Sequence, residues 1–98
     1  MRIKILPSAI QDLAEGRSFY ERQNPGVGDY FLDSLFSDID SLALYGGIHR
    51  QEFDCFVLLA KKFPHAIYYK MEADLVIVWR VLDCRRDPAW IRHQMKNR

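Results

Sequence analysis

Cysteine is scarce in this chain, with only Cys55 and Cys84 among 98 residues. They stand in no metal-ligating spacing and are too few for a disulfide scaffold. They read as two buried, reduced thiols in a cytoplasmic protein. Histidine is nearly as rare, and the spacing of His49, His65 and His93 builds no metal site. No cofactor is expected. Long apolar runs are missing too, since none approaches the roughly 20 residues that a membrane crossing needs. Met1-Arg2-Ile3-Lys4-Ile5-Leu6 has a charged start, but Pro7 and Ser8 cut it short, so no secretion signal is expected. Net charge is nearly absent as well, at +1 with a pI of about 7.8. The whole molecule is therefore no polyanion binder, and a nucleic-acid contact would need a local patch. Repeats, linkers and low-complexity segments are lacking.

What is present is a core. Apolar residues make up 49% of the chain and aromatics 13%, a composition that folds rather than stays disordered. The length suits one domain spanning residues 1–98. Charge is unevenly spread. Residues 80–98 hold six basic side chains (Arg80, Arg85, Arg86, Arg92, Lys96 and Arg98) against Asp83 and Asp87. Asp29, Asp33, Asp38 and Asp40 lie in a stretch with no Lys or Arg. The molecule is expected to be electrically two-sided.

Periodicity predicts the elements. Residues 2–6 alternate, with Ile3 and Ile5 on one side, and read as a short strand. Pro7 suits a first helical turn, and Ile10, Leu13, Ala14 and Tyr20 follow at helical spacing. Asn24 is the expected N-cap of a second helix, with Pro25 as its first residue. That helix carries Phe31, Leu32, Leu35, Ile39 and Leu42 as a stripe, with Tyr30, Phe36 and Ala43 at its edges, and stops at Gly46-Gly47. The two helices form an antiparallel hairpin. A loop is expected over residues 48–52. The period then falls to two over residues 53–62, 66–71 and 75–84, which predicts an antiparallel meander with turns at 63–65 and 72–74. Residues 75–79 are apolar on both faces and should be central, covered at least in part on both sides. In the strand before them, Tyr69 is expected in the core with Ile67 and Met71, leaving Tyr68 and Lys70 outward. Asp87 and Pro88 start a short C-terminal helix. The fold class is α+β, in the order β-α-α-β-β-β(-α), with the hairpin packed on a mostly antiparallel sheet.

That order resembles the RelE/ParE toxin superfamily over nearly the whole chain, on the ParE-like branch. Pro7-Ser8-Ala9-Ile10-Gln11-Asp12-Leu13 opens the first helix as in that family. Phe63-Pro64-His65-Ala66-Ile67-Tyr68-Tyr69 and Val81-Leu82-Asp83-Cys84-Arg85-Arg86-Asp87-Pro88 resemble two of its signatures. The resemblance implies a toxin neutralised by a co-encoded antitoxin whose amphipathic segment lies along the hairpin and sheet. DNA would be reached only indirectly, through the antitoxin, and no membrane is involved. ParE-like members poison DNA gyrase and stabilise plasmids, with no catalytic residues established. RelE-like members cut mRNA in the ribosomal A site.

Laid on this chain, the sheet-face basic positions of the ribonuclease branch fall near Val57, Leu59 and Ala66. Its C-terminal tyrosine falls near Arg92, and only Arg86 matches. Lys61 and Lys62 lie beside a turn. The reading therefore favours a binding toxin over an enzyme. The ribonuclease alternative keeps Arg86 and His93 as catalytic candidates, because an imidazole titrates near neutrality. A third alternative is a toxin fold with neither activity. Arg85 and Arg86 have two readings. One of them pairs with a carboxylate of the acidic second helix while Asp87 caps the last, or they form a fork for a phosphate or an antitoxin carboxylate. Trp79 and Trp90 read as core or interface aromatics. The target-binding set is Arg80, Arg85, Arg86, Trp90 and Arg92, drawn from the most positive segment.

Overall fold

The computed structural model describes residues 1–97, so the expectation placed on Arg98 lies outside the described residues. The elements run β1 (Arg2–Ile5), α1 (Pro7–Gln23), α2 (Val27–Asp40), α3 (Leu42–Tyr45), β2 (Gln51–Glu52), β3 (Cys55–Leu59), β4 (His65–Glu72), β5 (Leu75–Asp83) and α4 (Pro88–Lys96). The five strands form one mixed sheet in the order β1-β5-β4-β3-β2. β2 to β5 are antiparallel neighbours, whereas β1 lies parallel to β5, with Arg2 opposite Leu75 and Ile5 opposite Val78. The architecture is the α+β arrangement that periodicity predicts, with β2 added. β2 replaces part of the expected loop at 48–52. Phe53 and Asp54 leave the expected strand to form its tight turn, both at positive φ (55° and 62°). No glycine announces that turn, which is why periodicity alone misses it.

The helix junction differs from expectation. Asn24 closes α1, and Gly26, at φ 91°, takes the N-cap position of α2. The exposed N–H groups of the new helix are answered from the old one. Glu21 accepts from Gly26 N at 3.1 Å and from Gly28 N at 3.0 Å. A Cβ on Gly28 would stand 2.7 Å from the Arg17 carbonyl oxygen, so a side chain there would force the helices apart. α2 also ends early, at Asp40 rather than at Gly46. Ser41 turns its hydroxyl onto the Asp38 carbonyl at 2.6 Å, a local bond that competes with the helical ladder. One further turn, α3, follows.

The hairpin covers one sheet face. Ala9, Leu13 and Tyr20 meet Phe31, Leu35, Ile39 and Leu42 above Ile67, Tyr69, Val76 and Val78. Ile10 and Ala14, expected in this core, face outward. The buried face of α1 runs through Ala9 instead, and Ile10 is 48% exposed. α4 covers part of the other face, where Met95 packs on Cys55, Val57, Ala66, Tyr68 and Leu82. Tyr69 and Ile67 are in the core as expected, with Met71 packed against it. Tyr68 does point to the opposite face, but it is buried there rather than outward, because the expectation left α4 out of account. Cys84 is likewise not buried: it sits exposed just past β5, while Cys55 is in the core. No helix among the described residues is long and apolar enough to cross a membrane.

Candidate functional site

The basic segment forms the end of β5, the turn after it and α4, and there its arginines part company. Arg80 points at α1. Its guanidinium donates to both carboxylate oxygens of Asp12, at 2.7 and 2.9 Å, and to the Gln94 side chain at 3.1 Å. Both partners are largely buried, with side-chain exposures of 13% and 7%. The same carboxylate accepts Val81 N–H at 2.9 Å, which closes the stretch of β5 that β1 is too short to reach. The Asp12 hydrogen bond holds the Arg80 pKa above its ordinary value. Arg80, expected to touch a target, is turned inward in this internal pair.

Arg85 is exposed, but it folds back on Asp83 at 2.8 Å and reaches the Tyr20 hydroxyl at 3.4 Å. Burial works against the Asp83 carboxylate, yet hydrogen bonds from the Arg85 side chain and backbone hold it below the usual range. No arginine of this segment pairs with a carboxylate of α2 among the described residues. Asp87 does cap α4, accepting from Ala89 N at 3.0 Å.

Arg86 has no carboxylate partner among the described residues. Its guanidinium lies 3.8 Å from the centre of the Trp90 ring, which fixes the cation without neutralising it. Arg86 and Arg92 border one cleft of about 270 Å³ over the face of the sheet that carries α4. Arg50 borders it too, a residue that sequence reasoning left in a featureless loop. Its only signal is the β2–β3 hairpin, which brings it back over the sheet. Leu59, Ala66 and Tyr68 line the same cleft. Burial pushes the Tyr68 phenol up to about 12, with Glu52 adding to the rise. His93 does not line it. It is exposed on α4, where its ring meets the Asn97 amide at 3.1 Å.

A second cleft, of about 250 Å³, opens between α1 and the end of β5 and is bordered by Trp90 and again by Arg86. His65 lines it, not from a turn as expected but as the first residue of β4. It is 7% exposed among Tyr20, Phe31 and Phe63, and its Nδ1 has no hydrogen-bond partner. Burial lowers its pKa, outweighing the opposite pull of Asp83. A lowered folded-state value means that the unfolded chain binds the proton first as pH falls. Stability is thus complete above about 6.5, the ordinary value, and declines as pH drops through the folded-state value. Thermal melts should fall over that window in the native chain. In a His65→Phe variant the decline should be shallower, and equal slopes in both would refute the assignment.

Comparison with known proteins agrees with the architecture. A family model described as the ParE toxin of the type II toxin–antitoxin system parDE matches residues 3–88. No curated protein matches the chain. Among solved structures, a chain from the chromosomal ParDE toxin–antitoxin system of P. aeruginosa superposes with a TM-score of 0.72 at 15% identity. The match covers 83% of this chain and 92% of that one. At such identity the likeness speaks for the fold, and the family match speaks for the sequence. With residues 3–88 matched, the chain belongs to the ParE toxin family of type II toxin–antitoxin systems.

Proposed function

We propose that this toxin is held inactive by a co-encoded antitoxin and acts by binding DNA gyrase rather than by cutting mRNA. Membership of the family supports the antitoxin. One observation supports a binding mode of action: the cleft on the α4 face has Arg86 and Arg92 at its border without a carboxylate partner among the described residues, while its one carboxylate, Glu52, is paired with Arg50 at 2.6 Å. Leu59 and Ala66 stand where the ribonuclease branch places basic groups. The one phenol there, Tyr68, has its pKa pushed up to about 12 by burial, so it stays protonated near neutrality and is poorly suited to act as a general base. Arg86 and Arg92 are suited to hold and orient an anionic partner, raising encounter rate and fixing register, while Arg50 is already paired with Glu52. Trp90 supports Arg86 at this patch, and Arg85 is folded onto Asp83 outside the cleft. Arg80 belongs to its support.

The same arginines favour a second reading, since guanidinium groups also offset the charge of a scissile phosphate. The two are separated by expressing the toxin without antitoxin and assaying purified protein in parallel for gyrase supercoiling and for cleavage of ribosome-bound mRNA. Lost supercoiling with intact mRNA is the expected result. Codon-specific cuts with normal supercoiling would move the protein to the endonuclease class.

A further inference from the structure

The cleft between α1 and the end of β5 has no part in that proposal, and its lining is specific. Phe19 on one side is 41% exposed, an unusual place for a phenylalanine. Trp90 is half-buried on another. Gly16 lines the cleft where α1 lies directly on the Phe31 ring, which would stand 2.6 Å from a Cβ there, so the helix closes tightly on that side. His65 contributes a neutral imidazole whose Nδ1 is unanswered. Glu15 adds an exposed carboxylate that has no cation partner among the described residues. About 250 Å³ is room for one large side chain and not for a strand or helix.

We propose that this cleft seats a single tryptophan or tyrosine side chain of the antitoxin, an inference that rests on the antitoxin reading above. The lining selects the occupant. Two aromatic rings and an imidazole favour a third ring in offset or edge contact. An orphan imidazole nitrogen and the Glu15 carboxylate, which accepts from the Gln11 amide on one oxygen at 3.1 Å, favour a ring that carries an N–H or O–H donor, which phenylalanine and leucine lack. Tryptophan and tyrosine are also the side chains that most often anchor protein interfaces in such pockets.

The position of the cleft gives the occupant a consequence. Arg86 is the one residue that borders both clefts. A ring seated beside Trp90 packs against the same tryptophan on which Arg86 rests, and so acts on Arg86 without covering the sheet. Neutralisation then works through a shared wall.

The test uses the full chain and the protein encoded by its neighbouring short gene. Affinity is measured for the native chain, for Phe19→Ala and for His65→Phe. Each substitution should weaken binding by roughly tenfold or more, the scale of an interface anchor. Free His65→Phe should melt no lower than the native chain at neutral pH, since the buried Nδ1 that it loses has no hydrogen-bond partner. In ¹⁵N-labelled toxin the Trp90 indole N–H resonance should shift on complex formation. Replacing the partner's tryptophans and tyrosines by leucine, one at a time, should reproduce the loss at one position. A native complex whose affinity is unchanged by both toxin variants overturns the inference, as does an unshifted Trp90 resonance, which needs no variant to fold. If no partner residue reproduces the loss, the occupant class is wrong. Should the native chain form no complex at all, the antitoxin reading itself falls, a failure distinct from the others.

Discussion

Reversing Arg86 to Glu is expected to abolish growth inhibition and leave the protein folded. Arg86 has no ion pair among the described residues, and what it gives to stability is its stacking on Trp90. An exposed cation–π contact is worth about 0.5–1 kcal/mol. For a domain of this length that corresponds to a melting shift of about 8 °C at most. Function should suffer far more. The side chain borders both clefts, and reversing its sign puts a carboxylate between Arg50 and Arg92. Growth inhibition and a thermal melt on the same variant decide the matter. A variant that is soluble, melts normally and remains fully toxic would exclude Arg86 from the target contact and send the search to the helical hairpin. A collapse in stability would show instead that Arg86 is structural.

Asp12→Ala should do the reverse and cost stability first. The Asp12–Arg80 pair is bidentate and mostly withdrawn from water, so removing the carboxylate leaves the guanidinium with only Gln94 and no counter-charge, and the Val81 N–H without its acceptor. Breaking a buried pair from one side costs about 3–5 kcal/mol, a large part of the 5–15 kcal/mol typical of a whole domain. At about 4–8 °C per kcal/mol, the melting temperature should fall by at least about 12 °C. Replacing both partners, as Asp12→Leu with Arg80→Met, should restore part of this. The buried charge is then gone, while Val81 N–H is still unanswered. A fall of only a few degrees in Asp12→Ala would show that solvent reaches the pair and that Arg80 is free to serve a target.

The two experiments also divide what the sequence discloses from what it hides. Strand and helix periodicity is local, and it yields the hairpin, β3 to β5, the hairpin-facing core and α4 with its Asp87 cap. The arginines differ because their partners are distant in sequence. Nothing near Arg80 names Asp12, which lies 68 positions away. Without that pairing, a charged stretch looks uniformly available. The Glu21 cap is hidden for a similar reason, since Asn24-Pro25 matches the usual start of a helix and the carboxylate that does the work is on the previous one. Tyr68 looked outward-facing because alternation tells which side a residue takes and not what covers that side. His65 and Arg50 were legible only as residue types. Their positions depend on a strand that begins at His65 and a hairpin without glycine.

The parallel pairing of β1 with β5 has a consequence in time. Arg2 finds its partner only at Leu75, so the first strand made waits for nearly the last. The hairpin is complete at Asp40, 35 residues before Leu75. At about 5–20 residues per second, a ribosome needs roughly 2–7 s to cover that distance. Through those seconds Phe31, Leu35 and Ile39 lack the β5 residues Val76 and Val78 that complete the core with them. Closure of the sheet, and with it of the core beneath the hairpin, is therefore among the last events in making this domain.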